Sequence, residues 1–122
     1  MKLMTLARAA PLLWAIGALA ATPAPTPSVD CAAAVTPAEL DHCAYEDFLT
    51  ATAAYSAQYQ ALAATLPGPR KDQLRRMQKA WLGFQKATCD FETGASGRGA
   101  AHWQCMARLT RERTAQLALP SR

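Results

Sequence analysis

Residues 36–69 read TPAELDHCAYEDFLTATAAYSAQYQALAATLPGP. The segment opens on Thr36-Pro37-Ala38-Glu39, a capping box with proline at the first helical position. The Thr36 hydroxyl can accept from the Glu39 amide, and the Glu39 carboxylate can reach back to the Thr36 amide. Large or apolar residues then recur at Leu40, Ala44, Phe48, Ala51, Tyr55, Tyr59, Leu62 and Leu66, in steps of 4, 4, 3, 4, 4, 3 and 4. That is the apolar stripe of one long helix. Alanine, the best helix former, fills much of the space between. Pro67-Gly68-Pro69 stops the run, so the segment predicts a helix over 36–66 followed by a tight turn.

Two further helices follow from the same periodicity. Leu74, Met77, Trp81, Phe84, Thr88 and Phe91 step by 3, 4, 3, 4 and 3, which predicts a second helix over 70–92. Gly94, Gly97 and Gly99 mark a loop. A third helix is predicted over 100–118, with Met106, Leu109, Arg113 and Leu117 on one face and Pro120 beyond its end. No strand-type alternation is long enough to argue for a sheet. The expected fold is all-α, a helical hairpin plus a third helix forming a small three-helix bundle. The turn at Pro67-Gly68-Pro69 makes helices one and two antiparallel neighbours.

The four cysteines are Cys31, Cys43, Cys89 and Cys105. Cys43 lies 25 residues before Gly68 and Cys89 lies 21 after it, so both reach the pole away from the turn. Cys31 precedes helix one at that pole, and Cys105 sits just across the glycine loop. An even number behind an export signal reads as two disulfides. Local pairing, Cys31–Cys43 with Cys89–Cys105, needs no long reach and is favoured. Interleaved pairing through Cys43–Cys89 stays open. The spacings of 12, 46 and 16 residues contain no CxxC, zinc-ribbon or haem-attachment motif.

The export signal is residues 1–20. Lys2 and Arg8 supply a positive start, residues 12–19 a short apolar stretch, and Ala18-Leu19-Ala20 a small-residue cleavage site. The apolar stretch is short of the roughly 20 residues that span a bilayer. Residues 21–29 are a proline-rich, extended linker, and the folded domain is expected over 30–122. The whole chain carries a formal +4, and the exported part only +2. This is too little for a concentrated nucleic-acid face. Charge is segregated: residues 30–69 carry a net −5 and residues 70–86 a net +5, which favours attraction between helices one and two.

Asp30-Cys31, Thr36-Pro37-Ala38-Glu39 and Cys43-Ala44 resemble the opening of the LprI-type lysozyme-inhibitor family of exported bacterial proteins. Ala80-Trp81-Leu82-Gly83-Phe84 followed by Cys89-Asp90-Phe91-Glu92 resembles its middle, and the stretch from Cys105 to Leu117 its closing arginine-containing helix. The similarity covers residues 30–118. It implies a small all-helical periplasmic or secreted domain and inhibition of host-type lysozyme.

The candidate residues divide into two groups. Trp81, Phe84, Tyr55 and Tyr59 lie on the stripes and are assigned to the core. Arg113 stands where the stripe calls for an apolar residue, so it needs an acceptor such as Glu46, Asp47 or a tyrosine hydroxyl on helix one. The partner-binding candidates are Glu46 and Asp47, on the acidic helix, and Ser96 and Arg98, in the glycine loop. Lysozyme has a carboxylate-lined cleft. A protein inhibitor of it needs an acidic face to dock and a loop to occlude the cleft. The alternative is an envelope interaction or scaffolding module with another protein partner and no effect on lysozyme. His42 and His102 lack the further ligands of a metal site, and no nucleophile elbow or phosphate loop is present. Neither an enzyme nor a cofactor is expected.

Overall fold

The computed structural model of the chain describes residues 28–94 and 99–118. The signal-peptide reading, and the linker reading up to residue 27, lie outside them, as does Pro120. Three helices follow one another: α1 Pro37–Thr65, α2 Gly68–Glu92 and α3 Ala100–Ala118. The described residues contain no strand.

The start of α1 is the capping box read from the sequence. The Glu39 amide donates to Thr36 Oγ1 at 3.3 Å, and the Thr36 amide donates to Glu39 Oε2 at 2.9 Å. The Val35 amide adds a third bond to the same carboxylate. At the other end, Leu66 turns extended and its amide closes on the Ala63 carbonyl. Pro67 caps α2, its carbonyl accepting from the amides of Arg70 and Lys71 at 3.0 Å each. The second helix therefore begins at Gly68, two residues earlier than predicted. Pro69 is tolerated there because the first turn needs no amide from it. After Glu92 the chain leaves α2 through Gly94, whose φ of 73° is the left-handed conformation that suits glycine.

Contacts across the bundle fix the directions. Tyr45 meets Trp103 and Gln58 reaches Leu117, so α1 and α3 run parallel. Cys89 meets Cys105 and Gln85 meets Thr110, so α2 runs against α3. α3 packs chiefly along α1. The buried positions there include Ala44 and Ala51 on α1 and Ala107 on α3, small residues that let two backbones approach. The turn does make α1 and α2 antiparallel, but they are the least intimate pair. The stacked rings of Tyr55 and Trp81, 5.5 Å between centroids, stand between them, and a groove of about 230 Å³ opens alongside.

Two buried clusters form the core. Tyr55, Leu74 and Leu117, one from each helix, meet near the turn, with Tyr59, Leu62, Ala63 and Leu66 packed around them. Cys89, Cys105 and Leu109 form the second, with Trp81 and Met106.

The stripe read for α2 is corrected by these contacts. The inward row is Leu74, Gln78, Trp81, Gln85 and Cys89 rather than the row through Met77, Phe84 and Phe91. Phe84, assigned to the core, is 58% exposed, and Phe91 is 88% exposed. The helix is rotated because two glutamines face inward with partners. Gln78 accepts from the Tyr55 hydroxyl. Gln85, 3% exposed, donates to the Met106 carbonyl at 3.0 Å and to Thr110 Oγ1 at 2.8 Å. A satisfied buried amide is tolerated in a core, and size alone does not decide which face turns inward.

Candidate partner-binding surface

Both disulfides are local. Cys31 bonds Cys43 with Cα atoms 5.6 Å apart, and Cys89 bonds Cys105 with Cα atoms 5.7 Å apart. The interleaved alternative is not formed, and no cysteine is free. Cys43 lies two residues before Tyr45, and Cys105 two after Trp103, so the Tyr45–Trp103 contact puts the bridges at one pole. That pole carries both the entry into α1 and the connection from α2 to α3.

An aromatic cluster fills the α1–α3 seam at this pole. Tyr45 meets Trp103 edge-on at 4.8 Å, and Phe48 stacks on Trp103 at 5.5 Å. A shallow recess of about 410 Å³ lies beside it, lined by Ala38, Asp41, His42, Tyr45 and Trp103. Asp41 Oδ1 is buried there without a hydrogen-bond partner among the described residues. Trp103 was not singled out in the sequence. Its signal was its place three residues before Met106, which extends the α3 stripe by one turn. His42 and His102 do not converge on a shared ligand set: His102 lies 3.9 Å from Asp90, and His42 lines the recess. Among the described residues, no group of three or more His, Cys, Asp or Glu side chains is placed to hold a metal.

The charges are used differently from expectation. Among the described residues no ion pair joins α1 to α2. Asp47 of α1 pairs with Arg111 of α3, and Glu92 of α2 pairs with Arg108 of α3 at 2.8 Å. The Glu92 carboxylate beside Arg108 raises the guanidinium pKa further above its ordinary value. The three backbone and hydroxyl bonds at the α1 cap, led by the Thr36 amide, hold the Glu39 carboxyl below the usual carboxylate range. The Lys86 ammonium beside Asp90 does the same for that carboxyl. Of the four α1 carboxylates, Asp47 is held by α3 and Glu39 by the cap of its own helix. Glu46 is exposed and has no ion-pair partner among the described residues.

Arg113 does not find the acceptor on α1 that the sequence called for. Its guanidinium lies over the Trp81 ring, 5.9 Å from the centroid, and Nη1 donates to Gln116 Oε1 at 3.2 Å. Trp81 is partly buried, and the Tyr55 ring stacks on it as well. The cation–π contact serves in place of a carboxylate. Burial pushes the Tyr55 hydroxyl pKa up, and the nearby Arg113 charge opposes this. Tyr59 packs on the cluster near the turn. Ser96 and Arg98 lie outside the described residues. The stems of their loop are tied together by Cys89–Cys105, and on the α2 side Thr93 Oγ1 donates to the Cys89 carbonyl at 2.7 Å. No helix among the described residues is long and apolar enough to cross a membrane.

An uncharacterized protein of Rhizobium meliloti (strain 1021) is 29% identical over 109 residues, covering 75% of this chain and 78% of that protein. No solved structure matches the chain. The family model described as lysozyme inhibitor LprI matches residues 30–117, a span that takes in both disulfides and all but the last residue of α3. The chain therefore belongs to the LprI lysozyme-inhibitor family.

Proposed function

We propose that this protein is exported by cleavage after residue 20 and inhibits a host-type lysozyme through a protein–protein interface at the disulfide pole. The family match over residues 30–117 is the observation that carries this reading. The local geometry supports it. An inhibitory loop must enter a cleft without losing much conformational freedom on binding. The loop holding Ser96 and Arg98 is suited to that, because the Cys89–Cys105 bridge joins its two stems. Arg98 is the residue proposed to meet a cleft carboxylate of the enzyme. Exposed Glu46 supplies docking charge toward a basic surface. Asp47 contributes less, since Arg111 already holds it. Recognition then depends on local complementarity rather than long-range attraction, as the small net charge of the exported part requires.

The test is hydrolysis of bacterial cell walls by lysozyme in the presence of the purified, exported protein. Hydrolysis is expected to fall in a saturable manner. Arg98→Glu is expected to weaken inhibition by about tenfold or more, since it sets like charges against each other. Absence of inhibition at a large molar excess of folded protein overturns the reading in favour of an envelope module with another protein partner.

A further inference from the structure

We propose that the solvent-facing side of α2 is an interface between two copies of this chain, packed antiparallel. Met77, Ala80, Phe84, Ala87 and Phe91 step by 3, 4, 3 and 4 along α2, the spacing of a helix–helix seam. They face away from the inward row of Leu74, Trp81, Gln85 and Cys89. Met77, Phe84 and Phe91 are 47%, 58% and 88% exposed, and both alanines are exposed as well. Among the described residues this seam has no partner within the bundle.

Its pattern points to a second copy as the occupant. Large and small residues alternate along it: Met77, Ala80, Phe84, Ala87, Phe91. An antiparallel copy related by an axis near Gly83 sets Met77 and Phe84 each against an alanine. Phe84 faces the partner's Ala80, and Met77 faces the partner's Ala87. Phe91 extends over the partner's Gln73. One flank of the seam carries Arg76, Gly83 and Asp90, each seven residues from the next. In the same register Arg76 meets the partner's Asp90, twice by symmetry, joining the Lys86 that already pairs with that carboxylate within its own chain, and the two Gly83 positions meet at the axis. Nothing lies within 4 Å of where a Gly83 Cβ would be, so the backbones are open to close approach. Opposite charges at mirrored positions are what an isologous interface needs, and an unrelated partner would not require them. The seam is about 21 Å long at 1.5 Å per residue. It therefore forms an interface at the small end of the specific range, and the association is concentration-dependent.

Sedimentation equilibrium of the exported, processed chain tests this. The average mass is expected to rise with concentration from one chain toward two. Phe84→Glu is expected to weaken association by about tenfold or more, because it buries an unpaired carboxylate. Arg76→Asp is expected to weaken it as well, and the double exchange Arg76→Asp with Asp90→Arg to restore it. Circular dichroism should report unchanged helicity for Phe84→Glu, whose side chain is exposed in the monomer. A single-chain mass at every concentration overturns the proposal, whichever other molecule then covers the seam. Association indifferent to Phe84→Glu overturns the assigned face. A dimer that tolerates Arg76→Asp overturns the antiparallel register.

Discussion

The two ends of the bundle hold together by different means. Near the turn, Tyr55, Leu74 and Leu117 are buried against one another, and the stabilisation there is apolar contact. At the opposite pole, two bridges close loops of similar length, with sequence separations of 12 and 16 residues. A core this small supplies little surplus over chain entropy, and covalent closure at that pole adds to its buried cluster. The poles also differ in what they expose. The turn end presents a two-residue connection, Leu66-Pro67, whereas the bridged end presents the α2–α3 connection and the aromatic recess. The end whose covalent links reinforce its packing is the one with surface available for a partner.

The two bridges are not equivalent, and their removal gives the largest expected effect. Loop entropy alone would make them nearly equal, at about 3 kcal/mol each. Cys89 and Cys105, however, are buried in the second cluster, whereas Cys31 is exposed. Replacing Cys89 and Cys105 with alanine is therefore expected to cost about 4 kcal/mol, loop closure plus lost packing. Replacing Cys31 and Cys43 should cost about 2–3 kcal/mol. Denaturant unfolding of the two double variants measures the difference. Equal losses would mean that the second cluster contributes no packing.

At the turn end, Leu74→Ala is expected to cost about 3 kcal/mol by opening a cavity. Phe84→Ser, on the same helix, is expected to change monomer stability by less than about 0.5 kcal/mol. Thermal melts at dilute protein concentration compare the pair directly. A larger loss at Phe84 would restore the face read from the sequence and remove the rotated one. The smallest effect belongs to the α1 cap. The folded Glu39 carboxyl titrates below its unfolded value, so its contribution is present above the unfolded carboxylate range and is lost as pH falls through the folded pKa. Glu39→Ala should lower the melting temperature by about 2 °C at neutral pH. The gap from wild type should narrow on acidification, and a gap that widened would contradict the cap.

The sequence made the rods legible and left their rotation hidden. The α1 cap, the proline turn and the glycine exit are local signals, and each produced the element that its chemistry requires. The inward face of α2 is a tertiary property. It turns on Gln78 and Gln85, whose amides find partners on α1 and α3 that no single-helix pattern can display. Arg113 shows the same limit. Its anomalous place on the stripe was visible, but its partner proved to be the Trp81 ring, a contact that depends on how α2 is turned. Segment charges signalled an α1–α2 attraction, whereas α3 supplies the cross-helix pairs through Arg108 and Arg111. The candidate surface was legible in the cysteine spacing that brackets the loop, whereas the role of Trp103 was not, because its neighbours Tyr45 and Phe48 come from another helix.

Peptide mapping of the oxidised, exported chain by mass spectrometry under non-reducing conditions bears most directly on the two-ended construction. Cys31 should appear linked to Cys43 and Cys89 to Cys105. A Cys43–Cys89 link would tie α1 to α2 instead, detach the loop stems from each other and contradict the division of the bundle into a bridged pole and a packed one.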